Sequence, residues 1–251
     1  WLFISSSGAL SAGRKNSNNS LFPYYTDDKI SESYEVTGGK SIFHINKKGK
    51  NFLWEPFTKS SDLIYETERN LYKNLRGNKV IFEEINNTLG FKFSYQWTTC
   101  DAYGFIKTSS LKNLNKENIS ISILDGFQNI LPWGLNEGIQ ANTSNLADAY
   151  KRNELDSESK IGIFALSATI VDRAEPSEAL KANIVFHLGL DSNKVLLSSA
   201  QLDQFRKGHE IKEESDIKAE RGAYFINSEI SLACDEKKEW LFAADINKSS
   251  S

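Results

Sequence analysis

The chain has 251 residues, of which 39% are hydrophobic and 25% charged, and carries a net charge of -3. That balance argues against a nucleic-acid partner, which would call for a basic face, and the length suits one large β domain or two small ones. The longest apolar run, residues 161–171, is broken by Ser167 and Thr169; it falls short of the ~20 residues a bilayer span needs, so no membrane partner is expected.

In chain order, WLFIS at residues 1–5 reads as a first strand. GALSAGRKNSNNSLFPYYTDDKI, from Gly8 to Ile30, reads as a long ordered loop enclosing a short strand. Gly38-Gly39 predicts a hairpin turn between strands at 34–36 and 41–45. Lys47-Lys48-Gly49-Lys50 reads as a second, solvated turn. Pro56 keeps Glu55 out of the helical region, so residues 54–57 are expected to be extended. Further on, Val80, Phe82 and Glu84 alternate with Ile81, Glu83 and Ile85.

The cleanest strand is FKFSYQW, which places Phe91, Phe93, Tyr95 and Trp97 on one face as a core stripe. Ile119, Ile121 and Ile123 repeat the pattern, as do Ala182, Ile184, Phe186 and Leu188. Burying such a side chain contributes ~1.5–3 kcal/mol, so a one-residue slip of register would be costly. LADAYKRNEL has helical spacing, and Ser198 with Gln201 resembles a capping box ahead of a helix stopping at Gly208. Residues 209–220 read as an exposed polar connection, followed by strands at 223–226, 229–233 and 239–246. The expected fold is all-β and mainly antiparallel, two sheets face to face with one or two short helices. It would occupy residues 1–246 as a single domain, with 247–251 a polar tail. The lack of any methionine and the opening inside a strand read as a piece of a longer polypeptide.

The chemistry is sparse. His44, His187 and His209 have no metal-ligand spacing, and no metal or other cofactor is expected. Cys100 and Cys234 read as free thiols or as one disulfide. Adjacent carboxylates such as Asp27-Asp28 and Glu83-Glu84 point to opposite faces of an extended chain, so no such pair is a two-carboxylate site. The densest set of sugar-binding groups is in the stretch from Gly8 to Ile30. Arg14, Lys15 and Asn16 precede Tyr24, Tyr25 and Asp27. Aromatic rings stack on sugar C–H bonds while charges and amides fix the hydroxyls. A structural alternative is that Arg14 pairs with Asp27 or Asp28 and pins the loop.

Four stretches in order, GALSAGRK…LFPYYTDDKI, WTTCDAYGFIKTSSL, LDGFQNILP and DRAEPSEALKA, resemble the N-terminal β-domain of bacterial proteins related to cellobiose phosphorylases. The resemblance implies a super-sandwich of two large twisted sheets, the galactose mutarotase-like fold. It implies a non-catalytic module of a larger glycoside phosphorylase- or hydrolase-like protein. Such a module packs on an (α/α)₆ catalytic barrel of the same polypeptide and contributes to a homodimer or to an oligosaccharide or sugar-phosphate site. Arg14, Lys15 and Asn16 would reach that substrate, with Tyr24, Tyr25 and Asp27 at the rim. The expected compartment is the cytoplasm, with the periplasm or secretion also open. A free-standing aldose 1-epimerase-like enzyme is the alternative, with His44 or His187 and Glu84 or Glu178 as acid and base. A carbohydrate-binding or interaction module is the third reading.

Overall fold

The computed structural model describes residues 1–168, 170, 180–191 and 194–249, apart from the side chain of Asp27. DRAEPSEALKA, up to residue 179, and with it Glu178 lie outside the described residues.

Two antiparallel sheets face one another. The larger has nine strands, from edge to edge β15 (Asp216–Lys218), β11 (Lys151–Leu155), β12 (Gly162–Leu166), β13 (Lys181–Leu188), β17 (Lys237–Ser249), β9 (Gly104–Asn113), β8 (Phe91–Cys100), β7 (Val80–Asn86) and β6 (Thr67–Lys73). The smaller has five: β14 (Lys194–Leu196), β16 (Gly222–Leu232), β10 (Ile119–Ile130), β4 (Gly38–Lys47) and β5 (Lys50–Trp54). The expected alternation is what closes them. Phe91, Phe93 and Trp97 of β8 are buried against Phe43 of β4 and Phe127 of β10, with ring centroids 5.1 Å apart for Phe43–Phe93 and 5.3 Å for Trp97–Phe127.

Through this apolar interface runs an ion pair with both partners buried. Lys107 of β9 and Asp125 of β10 are fully buried, with Nζ 2.7 Å from Oδ1. Ser41 also donates to Oδ1 at 2.7 Å, and Ser109 and the Trp240 indole donate to Oδ2 at 3.0 and 2.6 Å. The ammonium also lies 5.5 Å from the Tyr95 ring and 5.6 Å from that of Phe242. Burial, with the Asp125 charge adding to it, pushes the Tyr95 phenol far above its usual range.

The N-terminal stretch forms a third, three-stranded sheet, β1 (Leu2–Ile4), β2 (Leu10–Gly13) and β3 (Ser20–Phe22). Leu10, Ala12, Leu21 and Phe22 join the same core, and Phe22 meets Trp97 and Phe127 edge-on at 6.3 and 5.8 Å. The stretch is thus a plug packed between the sheets. It holds two short strands, not the one expected, and continues into a helix, α1 (Asp27–Glu32).

Five α-helices are found among the described residues, where one or two were expected: α1, α2 (Lys59–Asp62), α3 (Glu137–Asn142), α4 (Ser144–Ala149) and α5 (Leu202–Arg206). None exceeds 6 residues, too short for a periodic signal to stand out. LADAYKRNEL divides, its first half helical and its second half β11. On α5 the cap residue is Gln201, whose side chain makes no capping bond because it is held by Lys212 and Glu214, while Ser198 donates to Glu214 at 3.1 Å. Leu202 and Phe205 of α5, with Ile211, cover Ile42, Leu124, Leu196, Ala223 and Phe225 on the outer face of the smaller sheet. The connection at 209–220 therefore buries Ile211 and Glu214 and contains β15.

Other expectations fail for local reasons. Gly38-Gly39 opens β4 and makes no hairpin turn. A Cβ on Gly38 would lie 2.6 Å from Leu10, and one on Gly39 3.3 Å from Lys107, so these glycines make room for neighbours. Phe57 turns into the left-handed region (φ 63°), its N–H held by Glu84 at 2.6 Å, which ends the extension expected there. On β13 the buried face is Asn183 and Val185, while Ile184, Phe186 and Leu188 lie on the other. β17 continues through Lys248 and Ser249, which pair with Ala182 and Lys181, where a polar tail was expected. Both cysteines are free.

Two predictions follow from the packing. Asp125→Ala should strand a buried ammonium and cost about 3–5 kcal/mol in urea unfolding. The double variant Lys107→Met/Asp125→Leu should recover much of that loss; if it is as unstable as the single variant, the pair is not the reason.

The second concerns Glu55, buried beside α5. Burial alone would raise its carboxyl, but hydrogen bonds from Arg206 at 2.6 and 3.1 Å and the Lys40 ammonium at 3.1 Å outweigh this and hold it below the usual range. A folded-state value below the unfolded one stabilises at pH above the unfolded value, and that contribution is lost as pH falls through the folded one. Glu55→Gln should flatten the acid limb of the stability–pH curve; an unchanged limb would show that Glu55 does not drive it.

Candidate functional site

The residues flagged in the sequence lie where the plug meets the ends of β7, β8 and β9. The Trp1 backbone nitrogen donates to Gly13 O at 2.7 Å, and the Trp1 ring covers Gly13 so closely that a Cβ there would sit 2.6 Å from it. The next residue, Arg14, leaves the plug pointing across the sheet ends. Its Nη2 donates to Cys100 O at 3.2 Å and lies 3.5 Å from Asp245 Oδ1. Among the described side chains its carboxylate partner is Asp245 on β17, which also holds Lys248 at 2.6 Å. Two cations share one carboxylate, and the Arg14 side chain remains 39% exposed.

Lys15 follows in the left-handed region (φ 63°) and is exposed. Asn16 Oδ1 accepts from Asn19 Nδ2 at 2.9 Å, closing a 3₁₀ turn at Ser17–Asn19. That turn docks on α3, where Ser17 donates to the Glu137 carboxylate and Asn18 Oδ1 accepts from the Glu137 N–H at 2.9 Å. Tyr24 stands edge-on to Trp1 at 6.1 Å and is 42% exposed, while Tyr25 is half-buried. Asp27 begins α1, and its side chain lies outside the described residues.

Two clefts adjoin here along β1, sharing Leu2, Ile4, Gly77 and Val80. One, about 440 Å³, is lined by Trp1, Arg14, Asn78, Thr99, Cys100 and Asp101. The other, about 740 Å³, is lined by Phe3, Ser5, Tyr24, Tyr25 and Lys73 among others. The structure therefore brings Arg14, Tyr24 and Tyr25 to neighbouring cleft walls. Lys15 and Asn16 sit on the exposed turn beside them and line neither cleft. Trp1, Asn78 and Asp101 escaped sequence reasoning as site residues. Asp101 does fall within WTTCDAYGFIKTSSL, one of the stretches that carry the resemblance, whereas Trp1 and Asn78 carry no local signal. An exposed guanidinium, aromatic walls, an amide and a carboxylate suit a polyhydroxylated ligand.

The histidines are engaged elsewhere. His44 Nε2 donates to Phe205 O at 2.7 Å while Nδ1 accepts from Asn51 at 3.1 Å, on the outer face of the smaller sheet. Glu84 lies in the sandwich, accepting from Trp54 at 2.9 Å, Phe57 N–H and Arg69 at 2.8 Å. The two do not meet, so they form no acid–base pair. His187 Nδ1 lies 2.8 Å from the Tyr224 hydroxyl. Burial lowers its pKa, a backbone bond to Leu190 opposing.

No family model and no curated protein matches the sequence. Among solved structures, the fold matches part of a polysaccharide lyase with a TM-score of 0.51 at 10% identity, covering 98% of this chain and 32% of that one. The chain thus spans about a third of the lyase it matches. A galactose mutarotase-like protein from Clostridium acetobutylicum matches with a TM-score of 0.47 at 10% identity, covering 99% of this chain and 91% of that one. A kojibiose phosphorylase from the human microbiome, described as putative, matches at 0.44 with 12% identity, covering 83% and 22%. The fold is an antiparallel sandwich of two facing sheets.

Gly13→Ala should push Trp1 off the plug and open the clefts. Hydrogen exchange should accelerate across residues 2–22 while the core of β8 and β10 stays protected. Uniform acceleration would instead mean that the plug and the sandwich open together.

Proposed function

We propose that this chain is a non-catalytic β-sandwich module of a larger glycoside phosphorylase- or hydrolase-like protein, and that its plug end contacts carbohydrate. The observation that carries the reading is the placement of Arg14, Tyr24 and Tyr25 in the walls of adjoining clefts, on a plug rooted in the core. Arg14 is held by a backbone carbonyl and shares its carboxylate with Lys248, so positive charge is left over for a ligand oxygen. Trp1 and Tyr24 supply the apolar surface on which a sugar face can lie. The fold likeness to a third of a polysaccharide lyase fits a module that works beside another domain. On this reading the (α/α)₆ barrel supplies the chemistry, and Lys15 and Asn16 on the exposed turn are the groups placed to reach toward it.

The test uses the full-length protein with a panel of α- and β-linked disaccharides, with and without phosphate, following released sugar phosphate. Phosphate-dependent release that falls roughly tenfold or more in kcat/KM for both Arg14→Ala and Tyr24→Ala, about 1.4 kcal/mol of transition-state binding, supports the reading. Turnover unchanged in both variants removes the plug from the substrate site.

A further inference from the structure

A further cleft lies where three loops converge on the end of β10 and on α4, and the site proposed above does not include it. It measures about 520 Å³, within the ~300–1,000 Å³ usual for small-molecule sites. Its walls include Val36 ahead of β4, Asn129 of β10, Asp148 of α4, Ser199 ahead of α5, and Ala219 and Arg221 between β15 and β16.

Asn129 is the feature that needs explaining. In the pairing of β10 with β16, Gln128 faces Ala223 and Ile130 faces Gly222, so Asn129 is the extra residue of a β-bulge. It takes the left-handed conformation (φ 57°), and its side chain lies in the cleft wall, 7% exposed. Its Nδ2 donates to Thr37 Oγ1 at 2.9 Å, while its Oδ1 is buried with no partner among the described residues. Turning the amide over only moves the problem, because Thr37 would then bond the oxygen and leave the NH₂ unpaired. A buried amide end without a partner bears the full cost of its desolvation, and bulges commonly re-aim a side chain beside a site. Ala219, on the same wall, is also left-handed (φ 59°), a conformation that favours glycine.

The rest of the wall indicates the ligand. Arg221 Nε pairs with Asp148 Oδ2 at 3.3 Å, and its terminal nitrogens have no partner among the described residues. Asp148 Oδ1 holds the buried Lys151 at 2.6 Å. With Glu220 also in the wall, one cation, Arg221, faces two carboxylates, and the buried Lys151 lies behind Asp148, so the cleft has no excess positive charge to recruit an anion. It offers donors on Arg221, a hydroxyl on Ser199, an acceptor on Asn129, and small apolar groups on Val36 and Ala219. Hydroxyl groups both donate and accept, and C–H faces need apolar contact. We propose that this cleft binds a neutral saccharide, with Asn129 and Arg221 as its recognition residues.

The test is a titration of the isotope-labelled chain with cellotriose, maltotriose and glucuronate, followed by backbone and side-chain amide NMR. Binding of either trisaccharide should shift Val36, Thr37, the Asn129 side-chain amide and Arg221, and glucuronate should not. Arg221→Gln and Asn129→Gly should each weaken that binding roughly tenfold or more. Arg221 is exposed, so its variant keeps the fold and isolates recognition from stability. The proposal is overturned by shifts confined to the Arg14 and Tyr24 clefts, by a response to glucuronate alone, by no response to any of the three sugars, or by wild-type binding in both variants. The first outcome would leave the plug-end reading standing, and a response at this cleft alone would leave this one standing.

Discussion

The buried pair of Lys107 and Asp125 fixes how the two sheets meet. An apolar interface alone would tolerate sliding, since one aromatic contact can replace another at little cost. An ion pair with three further donors on the carboxylate cannot slide without stranding charge. It joins β9 to β10 directly and brings in β4 through Ser41 and β17 through Trp240, so four strands on two sheets share one registration point. The nearby glycines follow from this closeness. Gly39 lies against the Lys107 stem, and a Cβ on Gly126, next to Asp125, would sit 1.9 Å from Tyr224 O on the adjacent strand.

With the register fixed, one end of the sandwich is open to filling, and the plug fills it. Phe22 enters between Trp97 and Phe127, so the aromatic stripe that closes the sheets also anchors the plug. The exposed parts of the plug, from Lys15 to Asn18 and at Tyr24, are the parts its core contacts do not use. A loop placed by a rigid scaffold is where binding groups gain precision without loss of stability. The same stretch is therefore structural on its buried side and available for recognition on the other.

The period-two strands were legible because burial on one face writes itself into alternation, as on β8 and β10. β13 misled because both its faces carry aliphatic residues while its buried face includes Asn183. An amide facing the core is invisible to a hydrophobic pattern. Gly38-Gly39 misled because close approach and a tight turn require the same residue type. Of the site, Arg14, Tyr24 and Tyr25 could be flagged from composition. Their partner Asp245 could not, because 231 residues of chain separate it from Arg14 and only the fold brings them together. Asn129 gave no signal either, since a bulge is a property of two paired strands and not of one.

The amides facing inward from the larger sheet have a common role. Asn183 donates to Leu131 O at 2.8 Å and reaches Ser20 O at 3.4 Å, which ties the plug to the loop after β10. Asn113 donates to Glu117 O, Leu232 O and Ala233 O at 2.9–3.1 Å, closing the turns at another sheet margin. Asn153 donates to Glu220 O at 3.2 Å, beside Arg221. Loop carbonyls at the margin of a sandwich have no ladder partner, and a buried one must find a donor. These amides meet that need from within the sheet, so the loops inherit the rigidity of the strands. The plug beside Arg14 and the loop carrying Arg221 are both fixed in this way, which is why cleft walls made of loop residues can hold a defined shape.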